Sequence, residues 1–153
     1  MNGLNPILIG ATVLLAGGAI GVLAMLSAKN RPAFVYAQLV LMAGIYVGFT
    51  ISSLDAADHI QRSDWSTLII ESFTALAFLL GGLAVLHSAR AWLLGAMILA
   101  HGGVDLVHLL IGADHSPDWY EFLCIVYDAI VGVAAIWLLS ESPAKNPAAA
   151  SFL

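Results

Sequence analysis

The chain has 153 residues, 61% of them hydrophobic and 10% charged, with 5 Lys and Arg against 10 Asp and Glu for a formal net charge of −5. An ordinary soluble domain carries about 45–50% apolar and about 25% charged residues, so a soluble globular domain and a disordered chain are both excluded. So few cations form no patch that could neutralise phosphates, which excludes nucleic acid as a partner and a polybasic lipid anchor.

The composition leaves an all-α, polytopic membrane protein. A transmembrane helix needs about 20 mainly apolar residues, and five segments meet that length: about 6–27, 33–54, 65–87, 91–112 and 119–139. Asn5 is placed to cap the first, with Pro6 at its first helical position, where a missing N–H costs nothing. That segment lacks a basic n-region and is longer than a signal peptide's apolar stretch, so it reads as a retained span. The connectors are short, so residues 1–140 read as one bundle and residues 141–153, with Pro143, Pro147 and several alanines, as a short mobile tail.

Basic residues in short loops stay on the cytoplasmic side. Lys29, Arg31, Arg90 and Lys145 fall on one side and Arg62 on the other, which predicts the amino terminus outside and the tail in the cytoplasm. The lack of a long targeting segment points to a bacterial inner membrane. The expected partner is the bilayer, with a homo-oligomer or a larger membrane complex as further candidates.

Two outward loops resemble one another. Ala57-Asp58-His59 precedes Asp64-Trp65, and Ala113-Asp114-His115 precedes Asp118-Trp119. Beyond them, Glu71 precedes Gly82-Leu83-Ala84 as Glu121 precedes Gly132-Val133-Ala134, with the same eleven-residue step. Two accounts fit: a duplicated helical hairpin (second and third segments, fourth and fifth), or convergent helix capping followed by interfacial tryptophans.

Nine of the ten acidic residues lie in the outer half of the bilayer or beyond it, leaving Glu141 alone on the inner side. On the fourth segment His101, Asp105 and His108 are spaced i, i+4, i+7 and share one face. Counting about 1.5 Å per residue from the helix ends places Glu71 and Asp128 at a depth similar to Asp105. An ionised carboxylate at membrane depth costs several kcal/mol unless paired, and no Lys or Arg lies inside a span to pair with it. Either these carboxylates are held protonated, or a cation that is not a side chain sits among them.

Carboxylate oxygens with neutral imidazoles are ligands for zinc, iron or manganese. The candidate metal ligands are therefore Glu71, His101, Asp105, His108 and Asp128, with an outer rim of Asp55, Asp58, His59, Asp114, His115 and Glu121. The Asp105-x-x-His108 step matches the carboxylate-x-x-His spacing of di-iron bundles, although its second half is missing. Tyr46, Thr50 and Ser53 give the second segment a milder polar stripe.

The plainer alternatives are a protonated, mutually hydrogen-bonded core for the five buried residues, interhelical hydrogen bonding for His87, a helix-dipole role for His115, and a capping box between Asp118 and Glu121. Cys124, the single cysteine, reads as a small core residue, one turn from Asp128. Paired haem ligation finds only His101 and His115 on one helix, and no nucleophile elbow, P-loop, dinucleotide signature or His-Glu-x-x-His zinc helix occurs. Three functions remain: a membrane metal-binding protein or metalloenzyme acting on a lipid-soluble or periplasmic substrate, a proton- or cation-coupled transporter or channel subunit, and a structural subunit of a membrane complex.

Overall fold

The computed structural model describes residues 5–56, 62–112 and 116–141. Asp58, His59, Asp114 and His115 of the expected rim, and the tail from residue 142, lie outside the described residues, as does the side chain of Asp55. The described residues form five α-helices and no strand: α1 Pro6–Met25, α2 Arg31–Ala56, α3 Arg62–Leu86, α4 Leu93–Ile111 and α5 Asp118–Ser140. All five are long and apolar enough to cross a membrane, and the chain is a five-helix membrane protein.

Local sequence sets the helix ends. The Asn5 side chain accepts a hydrogen bond from the Ile7 N–H at 3.0 Å, and Pro6 opens α1 as expected. At the other end of α4, Gly112 takes a left-handed conformation (φ 66°) that lets its N–H return to the His108 carbonyl. The second helix begins at Arg31, two residues earlier than its apolar pattern predicts, because the guanidinium has work at that end. Arg31 donates from Nε to the Leu26 carbonyl (3.1 Å), from Nη2 to that of Ala24 (3.2 Å) and from Nη1 to that of Leu138 (3.3 Å). These carbonyls belong to the last turns of α1 and α5, where a helix leaves them without intrahelical donors, so one side chain closes two helix ends.

Most of the contact lies within two hairpins, α2 with α3 and α4 with α5, and α1 rests against α5. The α4 and α5 backbones touch at Gly95 and Gly132: a Cβ on Gly95 would fall 2.6 Å from the Ile136 nitrogen and 2.8 Å from the Gly132 oxygen. Gly82 of α3 makes the corresponding approach to α2, where a Cβ would meet the Tyr36 ring at 2.7 Å. Both glycines of the matched Glu-to-Gly step, Gly82 and Gly132, face the partner helix within their own hairpin.

Large apolar side chains such as Leu14, Phe73 and Leu110 face outward, while the polar residues of α4 face inward. At the Lys29/Arg90 end the interior is closed by fully buried Leu23, Val35, Leu39, Leu94, Ile98 and Val131. His87, expected to hydrogen-bond between helices, is instead exposed at that end beside Lys29 and Ser88, because α3 ends at Leu86 and releases the ring from the bundle.

Removing Arg31 strips a charged donor from three carbonyls. Arg31→Ala should lower stability by about 2 kcal/mol, in the range for hydrogen bonds to charged groups. Arg90→Ala, whose side chain makes no hydrogen bond or ion pair among the described residues, should leave it unchanged. Thermal unfolding in detergent, followed by circular dichroism, compares the two.

Candidate metal centre

The i, i+4, i+7 stripe on α4 points into the bundle: His101, Asp105 and His108 are all buried. The fifth helix brings Asp128 to the same place, with His101 Nδ1 2.9 Å from Asp128 Oδ2 and 3.5 Å from Asp105 Oδ2. His101, Asp105 and Asp128 each offer one ligand atom, and these three atoms lie within 4.8 Å of one another. Glu71 and His108 form a separate pair toward the Ser116 end, with His108 Nε2 3.2 Å from Glu71 Oε1. The candidate ligands therefore occupy two levels. Counting residues from helix ends treated those ends as level, whereas the packing sets Asp128 of α5 opposite His101 rather than opposite Glu71.

Asp128 reaches His101 because residue 102 has no side chain. A Cβ on Gly102 would lie 2.9 Å from the Asp128 Cβ and 3.4 Å from its Oδ2. The neighbouring Gly103 has open space where a Cβ would be. Gly102 thus fixes the distance between α4 and α5 at the level of the site, a role that its one-letter context did not disclose.

Glu121 lies seven residues before Asp128 and shares its inward face. It is 1% exposed, and its carboxylate accepts a hydrogen bond from Ser116 Oγ. It is buried rather than at a wet rim, and the Asp118 side chain of the expected capping box lies outside the described residues. The Tyr46 ring from α2 packs between the two levels, 5.7 Å from the His101 ring and 5.3 Å from the His108 ring, centroid to centroid. Phe78 of α3 closes the other side of His101 edge-on at 5.5 Å. Cys124 is half-buried and is not part of the three-residue group.

The hydrogen-bond count at the deeper level does not balance. His101 Nδ1 and Asp128 Oδ2 share one hydrogen bond, while Asp105, with His101 Nδ1 at 3.5 Å and the Tyr46 hydroxyl as neighbours, and the second oxygen of Asp128 make no close, well-aligned hydrogen bond among the described residues. Asp105 is 0% exposed. A buried carboxylate with only such weak donors recovers little of its lost hydration, so these oxygens call for a proton or a cation.

The spacing suits an ion. Ligand atoms held about 2.1 Å from a tetrahedral metal are roughly 3.4 Å apart, close to the separations found here. No family model, curated protein or solved structure matches the chain.

Gly102→Ala should force α5 away from α4 and destabilise the protein by about 1–3 kcal/mol, the usual cost of overpacking. Gly103→Ala should change nothing. Thermal unfolding, together with the His101 imidazole signals in NMR spectra of histidine-labelled protein, reads both effects.

Proposed function

We propose that the chain is a membrane-embedded metal-binding protein whose His101, Asp105 and Asp128 hold one divalent ion of the zinc, iron or manganese class. The observation that carries this reading is Asp105, fully buried with no close, well-aligned hydrogen bond to either oxygen among the described residues, and within 3.5 Å of a histidine nitrogen that also meets Asp128. Two carboxylates and a neutral imidazole bring a charge of about −2, which a divalent ion cancels, so the loaded centre would be neutral in a medium that penalises net charge. Three protein ligands with a fourth position open is the arrangement of catalytic rather than structural zinc sites. Such a site can activate a bound water, which extends the reading to metal-dependent chemistry on a lipid-soluble or extracytoplasmic substrate.

The distribution of Lys and Arg supports placing the Lys29/Arg90 end in the cytoplasm, so that the site opens to the extracytoplasmic side. A bacterial inner membrane is the compartment we assign, with the bilayer as the immediate partner. A conduit is the weaker reading, because the fully buried side chains below the site, Ile98 and Leu94 on α4 and Val131 on α5, are all apolar. Among the described residues the polar side chains that accompany them are Tyr127 and Gln38, whose hydroxyl and amide hydrogen-bond to each other.

Elemental analysis by plasma mass spectrometry, on protein purified in detergent without added metal or chelator, tests the proposal. The wild type should carry about one zinc, iron or manganese per chain, as a single three-ligand site requires. Asp105→Asn, nearly isosteric, should lose the metal while keeping its helical circular dichroism. A metal-free wild type, or metal retained by Asp105→Asn, would overturn the reading.

A further inference from the structure

Beyond the resident centre, we propose that Glu71 and His108 form a second cation station, a two-ligand relay through which the divalent ion passes on its way to His101, Asp105 and Asp128. This inference rests on the metal-binding reading above and adds to it a loading route with its own residues.

The geometry confines the route. Toward the Lys29/Arg90 end the centre is sealed by Leu94, Ile98, Leu39 and Val131, all fully buried and apolar. At the seam between α4 and α5 the backbones touch at Gly95 and Gly132, and the Asp128 side chain fills the gap at Gly102. In the remaining direction, toward the Ser116 end, polar side chains continue: His108 and Glu71, then Glu121 with Ser116. A dehydrating cation needs oxygen or nitrogen donors at each step of its path, and this column supplies a series of them.

The two stations are separate. His101 and His108 stand seven residues apart on α4, a rise of roughly 10 Å, far beyond the reach of one ion's ligand shell. The Tyr46 ring lies between them, in contact with both imidazoles. A cation at the outer pair would be held by Glu71 Oε1 and His108 Nε2, which are 3.2 Å apart, the spacing of neighbouring ligands around one ion.

The stations also differ in strength. The outer pair provides two ligand atoms and one carboxylate, and the deeper centre three ligand atoms and two carboxylates. Passage requires a site that binds well enough to admit an ion and weakly enough to release it, which two ligands satisfy better than three. Glu71 in addition places a negative charge in a low-dielectric interior, where such a charge attracts a cation.

The test follows the rate at which metal-stripped protein in detergent takes zinc from a chromophoric chelator, together with the final zinc content. The wild type should load about one zinc per chain, as one three-ligand site requires, and Asp105→Asn none. Glu71→Gln should reach the wild-type content at least about tenfold more slowly, in line with the effect of charge on ion capture. Loading of Glu71→Gln at the wild-type rate would make the pair an interhelical hydrogen bond and overturn the relay. A Glu71→Gln protein that stays folded but ends without zinc would make Glu71 a resident ligand and likewise overturn it.

Should Glu71→Gln fail to fold, Glu71→Asp keeps the charge but draws it back from His108. Slowed loading to full content would then support the relay, and an unchanged rate would reject it. Failure of the central reading looks different: a wild type that takes up no zinc, or an Asp105→Asn protein that loads like wild type, removes the centre itself.

Discussion

Four carboxylates are buried in the interior of this bundle, Glu71, Asp105, Glu121 and Asp128, and no lysine or arginine accompanies them. The cost of that choice organises everything around it. Removing a carboxylate from water costs several kcal/mol, and in a bilayer a bundle cannot recover it by opening to solvent. Each acid must find a donor or a cation within the bundle. Glu71 of α3 meets His108 of α4, Asp128 of α5 meets His101 of α4, and Glu121 takes the hydroxyl of Ser116. The fourth helix is thus the common partner, which explains why its polar face points inward and its apolar face toward lipid, the reverse of a helix at a water surface. Asp105 is the acid least served by the described protein groups, and the functional reading turns on it.

Such pairings require short distances between backbones, and glycine supplies them. Lipid offers no hydrophobic drive for helices to associate, so close packing and polar contacts must hold the bundle together. Gly95 and Gly132 bring α4 and α5 into backbone contact, and Gly102, two turns from Gly95, turns that contact into room for the Asp128 side chain. Packing and site are one arrangement at this seam, since the same interhelical distance joins the helices and sets the spacing of the ligand atoms. At the opposite end Arg31 performs a complementary task. It satisfies carbonyls in the last turns of α1 and α5, and so ties the first helix to the one that carries Asp128.

Much of this was legible in the sequence because it depends on length and periodicity. Five apolar runs, the Asn5-Pro6 start of α1, and the shared face of His101, Asp105 and His108 need only a helix's pitch to be read. The assembly of the site was less legible, because it depends on the heights at which different helices pass one another. Counting inward from the apparent helix ends set Glu71, Asp105 and Asp128 level, whereas α5 is offset so that Asp128 faces His101 and Glu71 faces His108. Two residues left no usable signal: Gly102, one of 14 glycines, and Ser116, a loop serine. Tyr46 was visible as part of a polar stripe, but nothing in its own helix shows that its ring separates two histidines of α4.

The polar interior is therefore a column with one closed end, and that asymmetry bears on what the molecule can do. A transporter or channel must present its substrate to both faces, either along a continuous path or by exchanging two arrangements of its helices. In this bundle α4 and α5 are held backbone against backbone at Gly95 and Gly132, and Arg31 spans the ends of α1 and α5. Below His101 the side chains of Ile98 and Leu94 are fully buried, so opening that end would mean exposing the best-packed part of the core. A column of polar side chains ending at an imidazole and two carboxylates, with no close, well-aligned hydrogen bond to Asp105 among the described residues, suits a bound ion better than a passing one.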